Sequence, residues 1–568
     1  MTAPTPRPLP RTLTAALLAL SLGAGGSVGC PARTVRPAAP APDRTPLHVQ
    51  VLAFNDFHGN LEPPGGSGGK LPVGKGPDGK PVSVDTGGVV HLAAHLERLR
   101  AEAPHTVVVT AGDLVGGSPL LSALFHDEPT VHAMNLLGLD VAGVGNHEFD
   151  AGWRELMRLQ RGGCHPGDGC QFETTYPGAR FPFVGANVLG PDGKPLFPPY
   201  VVKEFEGVPV AFVGVTLEDT PTIVQPAGVE GLSFTNEARA INALVPELRA
   251  RGVEAIVALV HVGGENAGTY DGCEGLKGPI VELTERLDPA VDAVVSGHTH
   301  AAYNCVVEGR PLTSALSAGR LVTDLDLTLD RTSRDVVEAR ARNVPVTRET
   351  PGSPALQALI DRAAARVAPL RDRVVGQLND TLTAPRNKAS PAGESTLGHA
   401  MADAQLEATR GSGAQLALVN PGGIRADLPA GDVTYGQAFT TTPFGNNLVT
   451  LTLTGAQLHA LLEQQWQEDA VRILAPSAGL TYRWRAAGPL GARVEKGSLA
   501  LGGKPVDPAG RYRVTVNSFL AAGGDGFTVL QQGTERTGGP LDIEALVSYL
   551  QAHKPVRAPA LGRVRRAD

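Results

Sequence analysis

Five short segments, each at the end of a valine-rich apolar run, constrain this 568-residue chain more than any other feature. They are Asn55-Asp56-Phe57-His58-Gly59, Gly112-Asp113-Leu114-Val115-Gly116, Gly145-Asn146-His147-Glu148-Phe149-Asp150, His261-Val262-Gly263 and Gly297-His298-Thr299-His300. Short Val-rich runs read as buried strands, and polar residues just beyond them fall where open α/β sheets keep their ligand crevice. Residues two apart on an extended strand project from the same side. Asp56 with His58, and His298 with His300, therefore each aim two donors at one point if strand geometry persists through them.

Taken singly, each segment is an ordinary surface turn. Five in order, all at strand ends, make a donor set of carboxylates, an amide and imidazoles without thiolates. Such a set suits Zn, Mn or Fe. Two such ions close together are a common device for splitting phosphate esters, because they neutralise phosphoryl oxygens and lower the pKa of water.

The length requires at least two domains. Hydrophobic content of 42% and a mean hydropathy near zero indicate a globular chain. The formal charge of -7 argues against a general binder of nucleic acid polymers. Strands are expected at 48–54, 106–110, 140–144, 208–215, 255–260 and 291–295, alternating with helices at 89–103, 130–137, 152–160 and 236–250. The Gly/Pro/Lys-rich stretch 63–80 reads as a long surface loop. Ser353 followed by Pro354 starts a helix that should run to about 378, with Pro369 as a kink. Beyond it, strands at 415–420, 448–453 and 512–517 and helices at 454–467 and 542–553 indicate a second α/β domain.

Residues 1–30 read as an export signal, with Arg7 and Arg11 preceding an apolar run at 13–22 that is too short to span a bilayer. Ser27-Val28-Gly29-Cys30 resembles a lipoprotein cleavage box with Cys30 as the lipidated residue, ordinary cleavage nearby being the alternative. The Pro/Ala-rich stretch 31–46 is then a tether to a membrane, or a loose tail. Four further cysteines remain in a chain expected to be exported, which favours pairing of Cys164 with Cys170 and of Cys273 with Cys305.

These motifs together resemble the calcineurin-like metallophosphoesterases of the exported 5′-nucleotidase/UDP-sugar hydrolase type. The resemblance implies an α/β fold whose N-terminal four-layer α/β/β/α metallophosphatase domain (47–345) is joined by a bridging helix (346–378) to a C-terminal nucleotide-recognition domain (379–568). It implies two divalent ions. One would be held by Asp56, His58, Asp113 and His300, the other by Asp113, Asn146, His261 and His298, with Asp113 bridging. His147 would act at the leaving oxygen, oriented by Asp150, while Glu148 reads as structural.

The second domain offers Asn420-Pro421-Gly422-Gly423-Ile424-Arg425, whose guanidinium suits phosphate oxygens. Phe444 and Phe519 supply two flat faces beside glycine loops, with Asn446 and Asp525 near them. In the family, phenylalanines at these positions stack on a base, and the remaining groups contact base, sugar or phosphate. This chain departs from the pattern before Glu394-Ser395-Thr396, where Pro391, Ala392 and Gly393 stand in place of an arginine; Arg386 or Lys388 could substitute from farther away. The expected function is release of inorganic phosphate from nucleoside 5′-monophosphates, a small-molecule substrate, with no obligate protein partner. The alternatives are a 2′,3′-cyclic-nucleotide 2′-phosphodiesterase/3′-nucleotidase or a UDP-sugar hydrolase. More remote are a thiosulfohydrolase and a non-catalytic nucleotide-binding surface lipoprotein.

Overall fold

In the computed structural model the described residues are 45–568, apart from 77–78, 225, 350 and 469. The export signal, Cys30 and all of the tether except residues 45 and 46 lie outside them. No described helix is long and apolar enough to cross a membrane.

Two six-stranded sheets form the N-terminal half. The first runs in the order Val336–Pro345, Leu321–Leu329, Leu47–Phe54, Thr106–Thr110, Val141–Gly143, Phe183–Val184. The second runs Ala302–Val307, Arg310–Ala315, Ala293–Ser296, Ala255–His261, Val208–Thr216, Tyr200–Phe205. Alternate residues explain the stacking. Val49, Val51, Val107, Val109 and Val141 face Val210, Phe212, Val257, Leu259 and Val295 of the second sheet. Leu52, Phe54, Val108 and Ala142 point the other way, against helices that include Val89–Arg100 and Glu128–Leu137. The second sheet is covered in turn by Glu237–Ala250 and Pro279–Glu285. Both faces of each central strand are thus buried, which is why these strands are continuous apolar runs. Each such Val or Leu contributes about 1.5–3 kcal/mol by burial. The layers are α/β/β/α.

Register fixes where the functional loops emerge. Phe54 pairs with Thr110 and Val109 with Val141, all parallel, so the loops carrying Asp56, Asp113 and Asn146 leave one edge of the first sheet. His261 pairs with Thr216 and Val260 with Ser296, so His261 and the loop carrying His298 leave one edge of the second.

Three expectations need correction. The stretch 63–80 is not all loop: Lys70–Lys75 pairs antiparallel with Pro81–Asp85, Leu71 being buried against Ala302, Ala315 and Leu321. The helix that starts at Pro354 ends at Arg371 rather than 378. Val374–Leu378 is a strand paired with Gly431–Thr434, as two β-branched valines followed by glycine favour. Finally, the helix expected at 454–467 spans only Gly455–Glu463, started by a capping box between Thr454 and Gln457. The Pro354–Arg371 helix lays Leu356, Leu359, Ile360, Ala363 and Val367 on the N-terminal core, and Tyr435 and Phe439 of the second domain join that cluster.

The C-terminal half carries a five-stranded sheet, ordered Ala475–Pro476, Leu416–Val419, Arg511–Asn517, Asn447–Thr454, Thr534–Leu541, and a smaller four-stranded sheet. Disulfides join Cys164 to Cys170 and Cys273 to Cys305.

Candidate metal and substrate site

Except at His261, the last residue of its strand, the strands end before the donors begin. Leu47–Phe54 and Ala293–Ser296 stop short of Asp56 and His298, and Asp56, His58, Asp113, His298 and His300 all have positive φ, between 47° and 77°. Extended geometry therefore does not carry Asp56 to His58 or His298 to His300, contrary to expectation. Left-handed turns fold the donors inward instead. That conformation costs an L-residue about 1–2 kcal/mol, so the surroundings must impose it.

They do so through backbone hydrogen bonds between loops. Asp56 N–H donates to Gly112 O at 3.1 Å and His58 N–H to Asp113 O at 2.9 Å. Both carboxylate oxygens of Asp56 accept from His298 N–H at 3.0 Å. Asn55, not singled out from sequence, ties the first loop to the second sheet by accepting from Ala315 N–H at 2.7 Å and donating to Leu316 O at 2.6 Å. Glu148 holds two donor loops together. Its carboxylate accepts from Asp113, Leu114, Val115 and Gly145 N–H groups at 2.6–3.2 Å. Glycine is required at Gly145, where a Cβ would lie 2.2 Å from Asp113 Oδ1, and at Gly112 (φ 94°), where it would lie 2.6 Å from Gly145 N.

Two groups of donors result, with Asp113 in both: Asp56, His58, Asp113 and His300, and Asp113, His261 and His298. Asn146 joins the second, its Oδ1 lying 3.1 Å from His261 Nε2 and 3.0 Å from His298 Nδ1. His58 Nδ1 donates to Gly116 O and His261 Nδ1 to Ala111 O, each at 2.8 Å, which leaves both Nε2 lone pairs directed inward. Asp113 Oδ2 is 3.0 Å from His261 Nε2 and 3.6 Å from His58 Nε2, and the Nε2 atoms of His58 and His300 are 3.0 Å apart. Such separations match the edges of a coordination shell with bonds of about 2.0–2.2 Å. The donors fit a pair of divalent cations.

Charge supports the fit. Burial, reinforced by Asp113 and opposed by His261, pushes Asp56 up to about 7. Burial lowers His58 and His300, and together with the His261 and His147 cations it takes His298 down to about 3. His261 goes the other way: Asp113 outweighs its burial and raises it to about 9. Without an ion, a proton on His261 offsets Asp113; dipositive ions would displace it and be matched by carboxylates and neutral imidazoles.

His147 stands beside this cage. Its backbone N–H donates to Asp113 Oδ1 at 2.9 Å, and its Nδ1 meets Asp150 Oδ2 at 2.8 Å. Burial disfavours its cation, but Asp150 and Asp113 prevail and raise its pKa.

Three arginines of the second domain act electrostatically on the cage. Arg425 is lowered by burial and held as a cation by Asp113, Asp150 and Asp56. It also lies 5.6 Å over the ring of Phe444. Phe444 in turn stacks on His147, ring centroids 5.6 Å apart. Arg386 acts on His300 and lies near Arg425 and Arg320. Crowding and those neighbours push it down to about 9, while its side chain still meets solvent, so it stays charged at neutral pH. Arg472, which sequence reasoning missed, adds a third cation near His298 and lies 3.7 Å from Asp525.

The remaining residues fall around Asp525, which has φ 56° and accepts from Asn420 Nδ2 at 2.8 Å. Asn420 is itself held by Asn517 at 3.1 Å. Phe519 lies against Gly524, where a Cβ would come within 2.4 Å of the ring. Phe444 takes His147, not Phe519, as its ring partner. Asn446 is only 5% exposed and accepts from Ser518 Oγ at 3.3 Å, so its amide anchors the Phe444 loop.

Residues 49–302 match the calcineurin-like phosphoesterase family, and residues 374–532 match the 5′-nucleotidase C-terminal domain. A solved 5′-nucleotidase precursor from Thermus thermophilus superposes with a TM-score of 0.75 and 31% identity, covering 92% of this chain and 99% of that one. The chain belongs to the 5′-nucleotidase family of calcineurin-like phosphoesterases. Within it, the cell wall protein Lmo0130 of Listeria monocytogenes is 32% identical over 569 residues, 94% of this chain and 70% of that protein. Endonuclease YhcR of Bacillus subtilis is 31% identical over 92% of this chain, which spans 41% of that longer protein. The first matched segment contains every donor of the cage, and the second begins at the strand Val374–Leu378 and contains Arg386, Arg425, Phe444 and Asp525.

Proposed function

We propose that this protein is an exported dimetal 5′-nucleotidase, with Asp56, His58, Asp113 and His300 as one ligand set and Asp113, Asn146, His261 and His298 as the other. Bound there, two divalent ions would supply Lewis-acid charge and a nucleophile from water near neutral pH. The chain's own residues do the rest. Arg425 and Arg386 hold phosphate oxygens over the cage, with Arg425 aligned by Phe444. His147, kept protonated by Asp150, stabilises or protonates the leaving ester oxygen. Phe444 and Phe519 offer faces for the base, and Asp525 and Asn420 offer polar groups at its edge or at the sugar.

The observation that carries this reading is the approach of Arg425 and Phe444, from one domain, to His147 and the Asp113 cage of the other. Export is supported by the two disulfides and by the cell wall protein among the relatives. The relative named an endonuclease favours a second reading, cleavage of phosphodiesters. The net charge of -7 speaks against a polymeric substrate.

Protein stripped of metal and reloaded with Mn2+ or Zn2+ would be offered AMP, 3′-AMP, 2′,3′-cAMP, ADP, UDP-glucose and single-stranded DNA. The expected result is fastest phosphate release from AMP. Cleavage of DNA or cyclic nucleotide with AMP untouched would replace the reading with the second one.

A further inference from the structure

A second group of metal-type donors lies outside the cage, where three separate elements meet. His126 sits in the turn between the helices Leu120–Ala123 and Glu128–Leu137. Glu155 lies in the first turn of the helix Trp153–Arg161. His165 follows Cys164 in the loop closed by the Cys164–Cys170 disulfide. Donor atoms of these three side chains lie within 4.8 Å of one another. Asp168, from the same disulfide loop, places Oδ2 2.9 Å from His126 Nε2 and 3.5 Å from His165 Nδ1.

The surroundings hold these groups in place through hydrogen bonds that a metal ion would have to share or displace. Arg158 binds both oxygens of Glu155 at 2.7–3.0 Å and donates to Gly163 O at 2.7 Å, fastening the His165 loop to the helix. A carboxylate has about four acceptor sites, so Glu155 retains capacity for a cation. His165 Nδ1 accepts from the Asp168 backbone N–H at 3.1 Å, so its lone pair is on the side of Asp168. The two imidazoles lie nearly parallel, centroids 3.8 Å apart. Common coordination requires one ring to turn about its Cβ–Cγ bond, His126 to carry its proton on Nδ1, and His165 to release the Asp168 N–H from Nδ1 or to bind through Nε2. With the side chains 24% and 25% exposed, water at the surface leaves room for that turn.

We propose that His126, His165 and Glu155, with Asp168 as a further ligand, form an additional site for one divalent transition metal such as Zn2+. Two imidazoles with carboxylates are borderline donors that suit this class better than Ca2+ or Mg2+. The ion would clip the helix Trp153–Arg161, the disulfide loop and the His126 turn together. The turn matters because Asp127, next to His126, accepts from Gly116 N–H at 3.3 Å and so backs the loop whose carbonyl orients His58.

The test is elemental analysis after equilibrium dialysis against buffered Zn2+, on the full chain and on His126→Ala, His165→Gln and Asp113→Asn. The first two should lose one equivalent relative to wild type while keeping the cage equivalents and the melting temperature measured in chelator. Asp113→Asn should lose cage metal and retain the additional equivalent, which separates this site from the proposed catalytic one. Two independent surface substitutions guard against a single variant that fails to fold. Equal metal content in wild type, His126→Ala and His165→Gln would overturn the proposal, leaving the cluster a hydrogen-bonded hub around Asp168.

Discussion

Phe444 and His147 lie face to face across the domain boundary, their ring planes 20° apart and centroids 5.6 Å apart. A residue expected to read the base thus touches the residue expected to act on the ester. With the proposed roles, this contact would couple substrate grip to leaving-group chemistry.

Replacing Phe444 by alanine should therefore raise KM for AMP by about tenfold or more, since an aromatic face is worth about 1–3 kcal/mol to a bound base. Metal content should not change. Steady-state kinetics decide it; an unchanged KM would remove Phe444 from substrate recognition.

His147→Asn should lower kcat by about 10²–10⁴-fold with both cage ions retained, the range for loss of a positioned acid. If elemental analysis showed the ions lost as well, His147 would be a supporting residue of the cage.

Asp150 raises the His147 pKa, so Asp150→Asn lowers it again and the imidazolium is lost at a lower pH. The alkaline limb of kcat/KM against pH should move towards acid. A profile that drops in height without moving would mean that Asp150 only orients the ring.

Gly145→Ala places a methyl group 2.2 Å from Asp113 Oδ1 and 2.5 Å from Asp113 N. The Asp113 carboxylate must move, and activity should fall by about 100-fold or more, as for a misplacement of about 1 Å. Weaker Zn2+ retention on dialysis should accompany the loss.

The donors were legible because each ends or closely follows a strand buried on both faces, and such strands are hard to disguise in sequence. How they converge was not legible. The left-handed turns at Asp56, His58 and His298 depend on bonds to Gly112, Asp113 and Asp56, made between loops far apart in the chain. The role of Asn55 is likewise set by Ala315 and Leu316, some 260 positions away. The strand Thr534–Leu541 has almost no apolar pattern because it is a largely exposed edge strand. The strand Lys70–Lys75 was hidden by surrounding glycines and prolines, although Leu71 is a buried residue of its own small core. The helix end at Arg371 was missed because Val374 falls at helical spacing from Val367 and Leu370, although it begins a strand. Arg386 was one of two substitutes weighed, and only the tertiary fold sets it near His300 and Arg425.

Asp113 contributes donor atoms to two groups at once, and the proposed function requires that each hold an ion. Anomalous scattering from a crystal of the Zn2+- or Mn2+-loaded protein tests it most directly. Two peaks should appear on either side of Asp113, one against His58 and His300 and one against His261 and His298. A loaded crystal with no peak at Asp113, or with a single ion touching only one of these sets, would rule out the dimetal centre.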